Sequence, residues 1–67
     1  MPSVLTKRER EVFELLIMNK STFEIADLLF ISEKTVRNHI SNVIQKLGVT
    51  CRSQAIVELI RMEEISL

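Results

Sequence analysis

Four side chains in the middle of this 67-residue sequence, Lys34, Arg37, Asn38 and Ser41, recur at helical spacing and all carry hydrogen-bonding groups. On a helix of period 3.6 they share one side with Gln45, while Val36, Ile40, Val43, Ile44 and Leu47 share the other. The chemistry this permits is the reading of base edges. Arg37 carries a planar guanidinium able to give two hydrogen bonds to O6 and N7 of guanine, and the Asn38 amide can both give and accept at adenine. Lys34 and Ser41 border them. Thr35, Asn42 and Lys46 form a side stripe suited to phosphate oxygens rather than bases. His39 shares that stripe closer to the buried edge, either as a donor to a phosphate or as a satisfied histidine at the rim of the core. A metal-ligand role is the weakest reading, because no second histidine exists.

A solvated surface helix would show the same polar side, so the preceding residues decide. Ile25, Ala26, Leu28 and Leu29 make barely two turns before Phe30-Ile31-Ser32 interrupts them. Ser32 offers a side-chain oxygen to cap the next helix, with Glu33 in its first turn against the positive dipole end. The pattern predicts a short helix, a tight turn and a longer helix over about Glu33 to Leu47, closed by the only glycine, Gly48. Ala26 is small where the two helices must cross, and Leu29, Ile31 and Val36 supply apolar contacts to fix their angle. This is the helix-turn-helix arrangement, whose second helix enters the major groove with its N-terminal residues at the base edges.

The flanking segments supply the support. Met1 to Leu5 forms a short lead in which Pro2 is unsuited to a helix interior. Thr6 and Glu9 make a capping box with Leu5 placed as a staple, so a first helix is expected from about Lys7 to Met18 with Val12, Leu15 and Leu16 inward. Ser21 and Glu24 make a second box that starts a helix near Thr22. These capped starts, with Thr6, Lys7, Ser21 and Thr22, expose backbone N–H groups that can also take phosphates, although capping alone explains them. Glu9 lies on the flank of the inward face and should seek a cation, for which Arg52 is the favoured candidate. After Gly48, Thr50 or Cys51 leads into a fourth helix ending near Glu63. Its wheel has Ala55, Leu59 and Met62 on one side, and Ile56, Val57 and Ile60 over the other. Either that second side joins two copies of the chain, or Ile56 and Ile60 wrap toward Phe13 and Ile17 of the first helix.

Composition excludes most other classes. An apolar fraction of 46% with few aromatics, one Gly and one Pro suits a single compact all-α domain spanning residues 1–67. No run of eighteen apolar residues exists to span a membrane, and the N-terminus lacks a signal-peptide core, which leaves a cytoplasmic chain. Cys51 is alone, so neither an internal disulfide nor a paired-cysteine metal site can form. Nine basic and nine acidic residues cancel, which argues mildly against DNA binding on total charge. Their distribution argues for it: Lys34, Arg37, Lys46 and Arg52 face only Glu33 between Ser32 and Arg52, whereas Glu58, Glu63 and Glu64 face only Arg61 beyond.

Several separate segments in order resemble the LuxR-type helix-turn-helix family: Leu5-Thr6-Lys7-Arg8-Glu9-Arg10-Glu11-Val12, Glu24-Ile25-Ala26, Leu29-Phe30-Ile31-Ser32, Thr35-Val36-Arg37-Asn38-His39, Lys46-Leu47 and Arg52-Ser53-Gln54-Ala55. The resemblance spans nearly the whole chain from Leu5. It implies a four-helix domain with a C-terminal dimerisation helix, base contacts from Arg37, Asn38 and Ser41, and phosphate contacts from Thr35, His39, Asn42 and Lys46. On that helix the dimer would use Ile56, Val57, Ile60, Arg61 and Glu64. Larger relatives add a receiver or ligand-binding domain; without one, regulation would come from abundance or from partners at the promoter, RNA polymerase among them. Phe30 departs from the glycine common in other helix-turn-helix turns, so the turn is expected to avoid the left-handed region.

The expectation is therefore a transcription regulator that binds double-stranded DNA as a homodimer on an inverted repeat, with reading helices about 34 Å apart. It uses no cofactor or small-molecule ligand. A protein-interaction module meeting its partner through the fourth helix is the alternative, supported by the neutral net charge. An enzyme is the remotest class, since no glycine-rich phosphate loop and no nucleophile-base pattern is present.

Overall fold

In the computed structural model, which describes residues 4–66, four helices follow one another: α1 (Lys7–Ile17), α2 (Thr22–Leu29), α3 (Glu33–Leu47) and α4 (Arg52–Arg61). The expectation for Pro2 lies outside the described residues. Each of the first three helices starts where a hydroxyl reaches forward. Thr6 accepts from the Glu9 N–H and Ser21 from the Glu24 N–H, while both glutamates reach back to the cap backbone, completing two capping boxes. The Ser21 backbone N–H, with help from its hydroxyl and from Lys20, holds the Glu24 carboxyl below the usual range against slight desolvation. Ser32 caps α3 through the Thr35 N–H at 3.1 Å. The start of α4 differs: Cys51 makes no side-chain cap bond, and Gln54 instead accepts from both the N–H and the hydroxyl of Thr50 at 3.0 and 2.9 Å.

All four helices end alike, in a left-handed residue followed by a backbone bond back over the last turn. Lys20 N–H donates to the Leu15 carbonyl, Ile31 to Ala26, Val49 to Ile44 and Glu64 to Leu59. The left-handed residues are Asn19, Phe30, Gly48 and Glu63, with φ of 64°, 58°, 68° and 60°. Phe30 overturns the expectation that its turn avoids this region. The reversal that returns Ile31 onto Ala26 requires a positive φ at that position whatever residue stands there, and the Phe30 side chain escapes crowding by standing 94% exposed.

The core is one cluster. Leu5, Val12, Phe13 and Leu16 meet Ile25 and Ala26 of α2, Val36, Ile40 and Val43 of α3, and Ala55, Leu59 and Ile65. Helix α3 is central and packs against each of the other three. In α1, Phe13 is buried with Val12 and Leu16, while Leu15 is only half-buried. In α4, Ala55 and Leu59 face inward as expected, but Met62 does not. The helix stops at Arg61, and the turn at Glu63 carries Ile65 into the core in its place.

Glu9 is 3% exposed and so is the chain's buried charge among the described residues. Its partner is Lys46, with Nζ donating to Oε1 at 2.5 Å, and not Arg52. Packing of α3 against α1 brings the last turn of α3 to the first turn of α1, whereas Arg52 opens α4 and is exposed. Burial opposes ionisation of Glu9, yet the Lys46 hydrogen bond and charge together with the Thr6 N–H and hydroxyl outweigh it and hold the carboxyl below its usual range.

Candidate nucleic-acid interface

Helix α3 presents the four expected base-facing residues together. Lys34, Arg37, Asn38 and Ser41 are exposed along its first half, with Asn42 and Gln45 continuing the exposed side, while Val36 and Val43 are fully buried and Ile40 nearly so. The burial explains the exposure. Three β-branched side chains locked into the core fix the rotation of α3 about its axis, and the opposite side has no alternative but solvent.

The phosphate-type residues divide. Asn42 is exposed; Thr35 and His39 are half-buried, and the Thr35 hydroxyl lies 2.9 Å from that of Ser32. Lys46 is bound to Glu9 and to the Val4 carbonyl at 3.3 Å, which uses two of its three N–H groups. Thr6, Lys7 and Ser21 stand exposed at the starts of α1 and α2. The Thr22 hydroxyl donates to Glu33 Oε1 at 3.2 Å, so the start of α2 offers its backbone N–H groups rather than this hydroxyl. Glu33 also lies 3.7 Å from Arg37 Nη2 through its other oxygen. From the sequence, Glu33 counts only as a favourable charge at a helix start; the signal for its second role is the spacing of four to Arg37.

The proposed dimer residues are less uniform. Val57 is 56% exposed, whereas Ile56 and Ile60 are half-buried against the core. Arg61 pairs with Glu58 at 3.8 Å. Glu64 is held within the chain by Arg10, at 2.9 Å to Oε1 and through the Glu64 carbonyl as well. No three His, Cys, Asp or Glu side chains gather to hold a metal among the described residues, and no helix there is long and apolar enough to cross a membrane.

This architecture has close counterparts. A family model described as bacterial regulatory proteins, luxR family, matches residues 3–59. The chain belongs to the luxR family. The spore germination protein GerE of Bacillus subtilis (strain 168) is 73% identical to it over 64 residues, covering 96% of this chain and 86% of GerE. The transcriptional regulatory protein DegU of Brevibacillus brevis is 50% identical over 58 residues, covering 87% of this chain but 25% of DegU. A solved structure of the transcription factor GerE superposes with a TM-score of 0.95 at 65% identity, covering 97% of each chain. The luxR-family match thus agrees with the all-α helix-turn-helix fold, and the family is one of transcription regulators rather than enzymes.

Proposed function

We propose that this luxR-family regulator binds duplex DNA by sequence, with α3 in the major groove, as a homodimer on an inverted repeat. Residues 1–67 act together as one DNA-binding domain. The observation that carries the reading is the division of α3: Lys34, Arg37, Asn38 and Ser41 are exposed together in its first half while Val36, Ile40 and Val43 anchor it from behind. Arg37 takes a guanine, Asn38 an adenine, and Lys34 and Ser41 the flanking edges. Phosphates are met by Thr35, His39 and Asn42, by the third N–H of Lys46, and by the helix starts at Thr6, Lys7, Ser21 and Thr22, the last through its backbone.

The dimer forms along α4, where Val57 stands exposed beside a shallow groove of about 400 Å³ lined by Val49, Ser53, Gln54, Val57 and Glu58. Ile56, Ile60, Arg61 and Glu64 flank that contact. At promoters the bound dimer meets RNA polymerase, in the cytoplasm. The 73% identity to a protein named for spore germination supports a role in the spore-forming programme.

Selection of bound duplexes from random DNA tests the whole reading, because the site's symmetry and half-site spacing report the dimer. On the selected duplex, Arg37→Ala should cost about 1 to 3 kcal/mol and relax preference at one base pair. Full affinity with full preference would remove Arg37 from the base-reading set. Absence of salt-dependent retention on duplex DNA would favour the protein-interaction alternative, which has no counterions to release.

A further inference from the structure

Glu33 gives each of its carboxylate oxygens a different partner. The Thr22 hydroxyl, from the first residue of α2, donates to Oε1 at 3.2 Å, and Arg37 Nη2 lies 3.7 Å from Oε2. The three side chains thus run from the start of one helix of the helix-turn-helix to the central side chain of the other. We propose that Glu33 is a positioning residue for base recognition: anchored by Thr22, it holds the Arg37 guanidinium toward a base edge and away from the nearest phosphate. This rests on the base-reading role of α3 proposed above.

The physical need is specific to Arg37. Its side chain is 58% exposed, and a long flexible cation beside a polyanion gains most simply by binding a phosphate, which brings affinity without sequence information. A carboxylate four residues earlier offers a competing local partner, in the favourable order with the acid N-terminal to the base. Tethered only by its own helix, that carboxylate would swing with the arginine. The Thr22 bond fixes Oε1 and so leaves Oε2 at a set place. The same negative charge repels phosphates, which penalises non-specific complexes more than one in which Arg37 already faces a base. In water such a pair has little effect because both partners are well exposed. Its influence grows where bound DNA displaces the solvent around it.

The test compares affinity for the duplex selected by the wild-type protein with affinity for the same duplex altered at the Arg37 base pair. Glu33→Gln keeps an oxygen for Thr22 but loses the charge facing Arg37, and should lower that preference ratio roughly threefold. Thr22→Val, which retains the backbone N–H, should lower it in the same direction by less. Neither change should lower the melting temperature by more than a few degrees, the loss of the Glu33 charge at the α3 start included, and in the Arg37→Ala background Glu33→Gln should leave the ratio unchanged. An unaltered ratio in Glu33→Gln alongside a flattened one in Arg37→Ala overturns the positioning role while leaving the base-reading role intact. An equal fall with and without Arg37 overturns it too, since Glu33 would then act independently. If Arg37→Ala itself keeps the full ratio, the base-reading role fails, and this inference with it.

Discussion

Replacing Lys46 with methionine isolates Glu9, the one buried charge among the described residues. The substitution keeps most of the aliphatic stem and removes the ammonium that donates to Glu9 at 2.5 Å, leaving a carboxylate 3% exposed with only Thr6 to bond it. Removing one partner of a fully buried ion pair typically costs about 3 to 5 kcal/mol. Lys46 is itself 37% exposed, and the Thr6 N–H and hydroxyl remain, so the loss here should be about 2 kcal/mol. For a chain of this size that lowers the melting temperature by roughly 10 °C at neutral pH. The pH dependence supplies the sharper signature. In the wild type the Glu9 carboxyl titrates below its unfolded value, so its contribution is present above about pH 4.5 and is lost as pH falls through the folded value. Without Lys46, burial dominates more and the carboxyl moves upward, so protonation relieves the variant sooner than it harms the wild type. Thermal melts followed by circular dichroism should show a gap between the two proteins that narrows from pH 7 to pH 3.5. The Glu9→Gln/Lys46→Met pair should melt above Lys46→Met alone, because no buried charge then lacks a cation. A gap independent of pH, or a double variant less stable than the single, would refute the assignment of this pair as the clasp between α1 and α3.

Two further expectations concern the turn and the fourth helix. Phe30→Gly should stabilise the fold by about 0.5 to 1 kcal/mol, since the left-handed cost of an L-residue disappears and no packing is lost from a side chain 94% exposed; a lowered denaturation midpoint would contradict the left-handed turn. Val57→Glu, at a site 56% exposed, should convert a sedimenting dimer to a monomer with its melting behaviour little changed; a wild-type protein already monomeric at high concentration, or a variant still dimeric, would rule out α4 as the interface.

What could be read in the sequence was whatever depends on neighbours along the chain. The capping pairs Thr6 with Glu9 and Ser21 with Glu24, and the Ser32 cap, act within three residues, so the three helix starts follow from local spacing alone. The bounds of α3 and its buried and exposed sides follow from periodicity over fifteen residues. Features set by the angles between helices were not legible. The Glu9 partner is 37 residues away and depends on how the end of α3 crosses α1. The replacement of Met62 by Ile65 in the core depends on a left-handed Glu63, a residue with no intrinsic preference for that geometry. Phe30 shows the same override: the closing bond from Ile31 to Ala26 and the burial of Ala26 set the backbone against local preference.

The zero net charge also takes a different meaning in three dimensions. Arg8, Arg10, Lys46 and Arg61 are each joined to a glutamate: Arg10 ties α1 to Glu64 of the C-terminal turn and Lys46 ties the end of α3 to Glu9 of α1, while Arg8 and Arg61 pair within their own helices. Lys34 takes part in none of the ion pairs among the described residues, and Arg37 pairs only with a residue of its own helix. The balance in the totals is thus partly taken up by pairs away from the exposed side of α3, which keeps a cationic character of its own. A neutral molecule with a small cationic face gains little from the long-range attraction that lets strongly basic proteins accumulate on any DNA. On the proposed function, discrimination then has to come from base contacts, and one α3 offers four residues for them. Doubling that number through a second copy, on a site with matching symmetry, is the route to useful affinity that such a charge distribution leaves open.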